Sequence, residues 1–256
     1  MTAVDDEGPV QVQFVEGGVA IVRLNRPAKR NSMVWESWTS LRDELLAIRD
    51  EQQVGAVVLA GVGGFFSAGG DLKSTPARGS GPLSPVARLE LAHGVLSLIR
   101  SLPIPVVAAV EGGAVGIGWS LVLACDLVVA ADDAFFSAPF VARGVIPDGG
   151  AAWFLVERLG RLRATELALL GARLPAAEAR VMALVNELCP AGSAEQVAVG
   201  LATSIASSDR SAVELSKRLL AGAEGRSFES FLPLELAMAT VSQLGGAAAR
   251  ARLDFT

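Results

Sequence analysis

The feature that most constrains the fold of this chain is an apolar stretch with glycines at its centre, residues 105–126, which reads PVVAAVEGGAVGIGWSLVLACD. Its apolar run 106–110 is typical of a strand buried on both faces, and residues 118–124 are typical of a buried helix. Four glycines at and before the start of the helix allow a tight turn. Strand, turn and helix in this order predict one unit of a parallel α/β sheet.

Two other interpretations of this stretch are a membrane-spanning helix and a nucleotide-binding loop. A spanning helix needs about 20 predominantly apolar residues, whereas Pro105, Glu111 and Asp126 interrupt the apolar run. The third glycine of the dinucleotide fingerprint is absent, and no Walker-type lysine follows. We therefore expect no membrane segment. The turn either packs the helix tightly on the sheet or presents the free N–H groups of the helix start to an anion.

The remaining sequence predicts more β–α units and then helices. The predicted strands are 10–14, 19–24, 54–59, 106–110 and 127–130, and the predicted helices of the same region are 35–49, 85–101 and 118–124. Asn31 or Ser32 is predicted to cap the first helix. Residues 151–253 predict successive helices with no clear strand, and residues 74–84 predict a flexible segment at the end of the pocket.

Composition argues against several classes of function. The chain has 27 acidic and 22 basic residues and a net charge of -5, which argues against a nucleic-acid-binding surface. Its two cysteines, Cys125 and Cys189, and its one histidine, His93, give no metal-ligand spacing. The acidic N-terminus lacks the pattern of a signal peptide, and the few cysteines suit a reducing compartment. We expect a cytoplasmic protein with no metal and no nucleic-acid partner.

A second glycine-rich loop, FFSAGGDLK at residues 65–73, follows the predicted strand 54–59. Its small residues leave backbone amides accessible, as in the first loop. Because the carboxyl ends of parallel strands meet at one edge of a sheet, two such loops place two N–H donors close together there. Two convergent amide donors are the geometry of an oxyanion hole.

Four segments, in this order along the chain, resemble the enoyl-CoA hydratase/isomerase, or crotonase, superfamily: LNRPAKRNS, FSAGGDLK, PVVAAVEGGAVGIGWSLVLACD and GVIPDGGAAWFL. The resemblance covers about residues 10–250. It implies an α/β fold with a crotonase-like β/α spiral core over residues 1–190, and a helical C-terminal region over residues 191–256 that mediates oligomerisation. A homotrimer or a dimer of trimers is therefore expected.

The resemblance also implies an acyl-CoA substrate, with coenzyme A as part of the substrate and no separate cofactor. The backbone amides of Gly70 and Ile117 would stabilise the enolate of the thioester carbonyl. The residues that would hold the nucleotide end of coenzyme A lie in two loops: Arg26, Ala28, Lys29 and Arg30 in one, and Ala68, Gly69, Asp71 and Leu72 in the other. Lys29 and Arg30 are the expected phosphate partners.

The acid–base residues differ from those of the family's hydratases, which carry two glutamates where Ser120 and Phe140 stand here. Neither side chain can act as a general acid or base near neutral pH. Asp148 stands where several isomerase-type members place a catalytic aspartate. Phe140, Trp119 and Trp153 are expected to line the pocket with Ser120 and to raise the pKa of Asp148 by desolvation, while the nearby helix N-terminus opposes this. Alternatively, Asp148 is only the N-cap of the helix that follows.

The resemblance leaves three main hypotheses for the function. The first is an enoyl-CoA double-bond isomerase with Asp148 as general acid and base, the second is an enoyl-CoA hydratase without the usual glutamates, and the third is a non-catalytic acyl-CoA-binding protein. Isomerisation is favoured because hydration by the usual route needs two carboxylates. Hydrolysis through an aspartate nucleophile is a further alternative, since His93 lies on the helix that supplies a catalytic histidine in the dehalogenase branch.

Overall fold

A computed structural model describes residues 8–71, 73 and 84–244 of the chain. Its strands are β1 Val10–Val15, β2 Val19–Leu24, β3 Ala56–Gly61, β4 Val106–Val110, β5 Gly113–Val115, β6 Leu127–Ala131, β7 Phe135–Ser137, β8 Leu174–Pro175 and β9 Glu187–Cys189. The main sheet has six strands in the order β1-β2-β3-β4-β6-β9, and a second sheet has three strands in the order β5-β7-β8.

The main sheet confirms the predicted α/β organisation. β1 and β2 form an antiparallel hairpin, and every further pair of neighbours in this sheet is parallel. Almost all residues of β3 and β4 are buried, because helices cover both faces of the sheet, and this explains their uninterrupted apolar sequences. β5 lies inside the predicted glycine turn, so the turn also contributes a short strand to the second sheet.

The prediction that residues 151–253 contain no strand is wrong. β8 pairs with β7 through Leu174 and Phe136, and β9 pairs with β6 through Leu188 and Ala130. The two strands have only two and three residues, which is too short for a period-two pattern to be read from the sequence. Pairing with strands far away in the sequence, not local propensity, determines both of them.

The helices are α1 Trp35–Asp50, α2 Ser84–Ser101, α3 Ile117–Ala124, α4 Ala151–Leu170, α5 Ala176–Val181, α6 Ala194–Ala206, α7 Arg210–Ala223 and α8 Phe228–Leu244. α1 buries the predicted stripe, which includes Trp38, Leu41 and Leu45. Within the described residues, no helix is both long enough and apolar enough to span a membrane.

The predicted cap of α1 is wrong. Val34 is the N-cap residue and no side chain caps this helix. The Asn31 side chain instead connects neighbouring loops: its Oδ1 accepts a hydrogen bond from the Arg26 backbone N–H at 2.8 Å, and its Nδ2 donates to the Val62 and Phe65 carbonyl oxygens at 2.9 and 2.6 Å. A polar side chain before a helix can satisfy loop groups as readily as helix N–H groups, and here the loop groups are closer.

The three last helices differ in how they contact the rest of the chain. α6 packs on one face of the main sheet through Ala194, Ala198 and Ala202. α7 is held by the buried Lys217, whose Nζ lies 2.7 Å from Asp126 Oδ2. α8 contacts mainly α7 and leaves several large apolar side chains exposed. The expected division into residues 1–190 and 191–256 stays a prediction.

Candidate active site

The two glycine-rich loops lie against each other at the carboxyl edge of the main sheet. The Ser67 backbone N–H donates to the Gly113 carbonyl oxygen at 3.1 Å, and the Val115 N–H donates to the Ser67 carbonyl oxygen at 2.9 Å. The Ser67 side chain donates to the Asn31 carbonyl oxygen at 2.8 Å, so the loop before α1 is joined to the same point. These bonds extend the second sheet into the loop that follows β3.

Gly69 permits the close approach of these loops. Its φ of +88° lies in the left-handed region, and a Cβ at this position would lie 2.5 Å from the Val115 carbonyl oxygen and 3.6 Å from Ile117 N. A residue with a side chain would therefore separate the loop from the start of α3. Gly70 directly follows this contact, so the close approach of Gly69 also brings Gly70 towards Ile117, the first residue of α3.

The backbone N–H groups of Gly70 and Ile117 are unpaired among the described residues. Ile117 is the first residue of α3, so its N–H has no helical acceptor, and the positive end of the helix dipole lies there. Both residues line one cavity of about 290 Å³. Two free N–H groups on one cavity are suited to bind a single anionic oxygen.

Asp148 lines the same cavity, on a loop that contacts the first turn of α3. Gly149 has a φ of +60°, and a Cβ there would lie 2.7 Å from the Ile117 side chain, so glycine is what brings Asp148 this close. The Asp148 carbonyl oxygen accepts from Ser120 Oγ at 3.2 Å. Gly150 is the N-cap residue of α4 and no side chain caps that helix, so the alternative of a plain N-cap for Asp148 is wrong.

The carboxyl group of Asp148 lies in a partly dry environment. Oδ1 is buried and has no hydrogen-bond partner among the described residues. Burial raises the pKa of this carboxyl above its usual range, and the positive charges of His93 and Arg88 partly oppose the rise. The pKa of Asp148 shifts in the expected direction. The groups that mainly oppose the rise are these two side chains of α2, whereas the helix N-terminus was expected to do so.

The four expected pocket residues have different locations. Phe140 lines the cavity. Ser120 is fully buried behind the Asp148 loop, and Trp119 is buried in the core with its ring centroid 5.7 Å from that of Phe136. Trp153 is 44% exposed and lies under the Arg100 guanidinium at 4.8 Å. Ser120, Trp119 and Trp153 are not among the described lining residues of this cavity.

Two arginines that the sequence analysis missed also line the cavity. Arg88 belongs to α2, and Arg143 ends a single 3-10 turn, Val141–Arg143. Neither side chain has an ion-pair or hydrogen-bond partner in the part of the chain that the structure describes. A signal for Arg88 exists in the sequence, because it stands four residues before the buried Ala92 and so interrupts the apolar stripe of α2.

The residues expected to bind coenzyme A are only partly free to do so. Ala68 and Gly69 line the cavity. The Arg26 guanidinium bonds to Ser32 and lies 3.3 Å from Asp71 Oδ2. A hydrogen bond from the Lys73 N–H, together with Arg26, lowers the pKa of Asp71 although burial opposes this. Arg26 and Asp71 thus hold the loop together.

The other residues that were expected to bind coenzyme A lie at the surface or outside the residues that the structure describes. Ala28, Lys29 and Arg30 are exposed, and the Arg30 guanidinium lies 5.5 Å from the centroid of the Phe65 ring. Leu72 and most of the segment 74–84 lie outside the described residues. The role of the exposed Lys29 and Arg30 as phosphate partners stays a prediction.

A larger cavity of about 550 Å³ lies between α3, α4 and α7. Its charged residues already have partners within the chain: Lys217 pairs with Asp126, and Arg158 Nη2 donates to the Leu123 carbonyl oxygen at 2.6 Å. The described residues contain no cluster of three or more His, Cys, Asp or Glu able to hold a metal ion. The smaller cavity, with its free N–H groups and unpaired carboxyl oxygen, is therefore the candidate active site.

The chain is similar to known proteins over nearly its whole length. Residues 15–243 match the family described as Enoyl-CoA hydratase/isomerase. A 1,2-epoxyphenylacetyl-CoA isomerase of Escherichia coli is 34% identical over 227 residues, which are 88% of this chain and 86% of that protein. A solved enoyl-CoA hydratase of Polaromonas is 34% identical with a TM-score of 0.88, over 94% of this chain and 93% of the other. One from Mycobacterium smegmatis is 27% identical with a TM-score of 0.91, over 97% and 96%.

Proposed function

The chain belongs to the enoyl-CoA hydratase/isomerase family of acyl-CoA enzymes, and from that membership we propose that it moves the double bond of an enoyl-CoA by proton transfer through Asp148. One observation carries this proposal. Asp148 is the only carboxylate among the described residues of the cavity, and its Oδ1 is buried without a partner. Ser120 and Phe140 supply no second acid or base.

In the proposed reaction the thioester carbonyl oxygen accepts hydrogen bonds from the Gly70 and Ile117 N–H groups. The Asp148 carboxylate removes a proton from C2 of a 3-enoyl-CoA, and the electron pair moves into a dienolate whose negative charge the two N–H groups stabilise. The same carboxyl group returns the proton to C4, which leaves the double bond between C2 and C3. The substrate is neither oxidised nor reduced, so the reaction uses no resident cofactor.

The environment of Asp148 suits a group that must both take and return a proton. Burial raises the pKa of Asp148, which brings the acidity of the carboxyl group closer to that of its carbon acid partner. The negative charge that forms on the substrate lies beside the N-terminus of α3, where the helix dipole stabilises it. One carboxylate and two N–H groups therefore supply every step.

The second candidate is an enoyl-CoA hydratase, which the names of the solved relatives favour. Hydration requires a positioned and activated water, and here Asp148 alone would have to do both. Hydrolysis is disfavoured, because His93 is exposed and is not among the described lining residues of the cavity. A non-catalytic acyl-CoA-binding protein would bind the thioester with no turnover of either substrate.

Incubation of the purified protein with a 3-enoyl-CoA and, separately, a 2-enoyl-CoA in deuterated water tests these candidates. We expect migration of the double bond with deuterium uptake, and mass spectrometry detects both. Asp148→Asn should lower the rate by about 10²–10⁴-fold, because it removes the proton acceptor. The control Asp133→Asn, at an exposed aspartate, should keep the wild-type rate. A 3-hydroxyacyl product would mean hydration, and no turnover would mean binding only.

We also propose that the chain assembles as a homotrimer or a dimer of trimers through α8. Its apolar side chains Phe228, Leu232 and Leu236 follow each other at intervals of four residues and lie 69%, 43% and 69% exposed. Such a face is typical of an association surface. Light scattering should give a mass of three or six chains for the wild type, and Leu236→Asp should lower it. An unchanged mass would contradict α8 as the interface.

A further inference from the structure

The cavity of the proposed active site has an excess of positive charge. Its titratable groups among the described residues are Arg88, Arg143 and Asp148, which makes two cations against one carboxylate. An acyl chain made only of carbon and hydrogen would bind such a cavity poorly, because the half-buried Arg88 would lose water without gaining a partner.

The candidate active-site cavity and the larger cavity between α3, α4 and α7 differ in how their cations are paired. In the larger cavity Lys217 pairs with Asp126 and Arg100 pairs with Glu224. In the smaller cavity neither arginine has an ion-pair partner among the described residues, and Arg88 is half-buried on α2. A guanidinium that faces a cavity and has no ion-pair partner is well suited to bind an anionic ligand.

The phosphates of coenzyme A are the wrong anions for Arg88. The thioester carbonyl has its proposed place at the N–H groups of Gly70 and Ile117, and the phosphates are separated from the thioester by the whole pantetheine arm. Arg88 and Asp148 line the same cavity as the Gly70 and Ile117 N–H groups. An anion at Arg88 must therefore belong to the acyl part of the substrate.

We infer that the substrate is the coenzyme A thioester of a dicarboxylic acid, whose free carboxylate binds Arg88 with Arg143 at the mouth of the cavity. This inference rests on the proposed acyl-CoA site and adds the class of acyl group to it. Arg88 determines specificity and neither donates nor accepts the transferred proton. Arg143 is exposed, so it contributes less than the half-buried Arg88.

Titration calorimetry with matched saturated thioesters tests the inference without turnover. Adipoyl-CoA and hexanoyl-CoA differ only in the terminal carboxylate, and glutaryl-CoA and valeryl-CoA are the shorter pair. The wild-type protein should bind one or both of the dicarboxylic members about 10- to 100-fold more tightly than their partners, as expected for a hydrogen-bonded charge. Equal or weaker binding of both dicarboxylic members would overturn the inference.

Arg88→Met should bring the ratio of the two dissociation constants close to one. The control Arg161→Met removes an exposed guanidinium on α4 and should leave the ratio at its wild-type value. An equal loss for both members of a pair would show that Arg88 binds the coenzyme A part or supports the fold, and would overturn the inference. Circular dichroism melting of each variant identifies a loss of folding.

A turnover assay separates this inference from the proposed isomerisation. Hex-3-enedioyl-CoA and hex-3-enoyl-CoA are compared by kcat/KM, and the former should be preferred through a lower KM. Preference for the uncharged substrate, together with equal binding, would leave the isomerase proposal intact and reject the dicarboxylic substrate. Arg88-dependent binding without double-bond migration would retain the ligand class and reject isomerisation.

Discussion

The two sides of the cavity differ in what determines their positions. The backbone wall, residues 68–70 and 115–117, contributes main-chain N–H groups and is held by main-chain hydrogen bonds. The Val115 N–H donates to the Ser67 carbonyl oxygen at 2.9 Å, and the Gly116 N–H donates to the Ser137 carbonyl oxygen at 2.9 Å. These bonds fix the positions of the free N–H groups of Gly70 and Ile117.

The side-chain wall consists of Arg88, Phe140, Arg143 and Asp148. These residues come from α2 and from the segment between β7 and α4, and the charged groups among them have few internal partners. Asp148 Oδ1 has none among the described residues. Under the proposed function the two walls have different tasks: the backbone wall stabilises an anion common to many acyl-CoA reactions, and the side-chain wall selects the reaction and the acyl group.

The largest effect on the backbone wall should come from Gly69→Ala, which breaks this wall. The new Cβ would lie 2.5 Å from the Val115 carbonyl oxygen and would push the Gly70 N–H away from the Ile117 N–H. We expect kcat/KM to fall by about 10²–10³-fold, as for the loss of one oxyanion donor. Gly64→Ala is the matched control, because Gly64 also has a positive φ of +71° but no neighbour within 4 Å. Equal losses in both variants would attribute the effect to backbone strain alone.

In the side-chain wall, a smaller effect is expected on stability, and it is a gain. Burial raises the pKa of Asp148 in the folded state, because the ionised carboxylate is less stable there than in the unfolded chain. The free energy of unfolding is therefore lowered at pH values above the folded pKa. Asp148→Asn should therefore raise Tm at neutral pH by about 1–3 °C while activity is lost. The gain should disappear in acid, below the pKa of the unfolded aspartate. A lower Tm at neutral pH would show that the ionised carboxylate stabilises the fold.

The smallest effect should be a shift of the pH profile in His93→Gln. The positive charge of a protonated His93 opposes the rise in the pKa of Asp148, so its removal raises that pKa further. The acid limb of kcat/KM should move to higher pH by less than about one unit. Arg161→Gln removes an exposed charge on α4 and should leave the limb in place. A shift to lower pH would contradict the assigned effect of His93.

The sequence predicted the backbone wall better than the side-chain wall. Glycines in two loops after parallel strands indicate a backbone site because few other residues allow such tight turns. The predicted strand 54–59 and helix 118–124 correspond to β3 and α3, whose bounds differ by one or two residues. Asp148 could be singled out because a family motif surrounds it. The rise of its pKa on burial was expected from the sequence, but the side chains that oppose this rise could not be identified, since they come from α2.

Other features depend on contacts between distant segments and were missed for that reason. Arg88 enters the cavity because of the way α2 packs beside α3, and Arg143 because of a single 3-10 turn. Trp119 and Trp153 were expected in the pocket from their positions near the motifs, but one is in the core and the other is half-exposed. Apolar character alone does not say which cavity or core a side chain joins.

The fate of deuterium placed at C2 of a 3-enoyl-CoA tests the central claim most directly. With Asp148 as the single acid and base, the 2-enoyl-CoA formed in ordinary water should carry part of that deuterium at C4, and Asp148→Asn should form almost no product. A 3-hydroxyacyl product, or conversion by Asp148→Asn at the wild-type rate, would contradict the account.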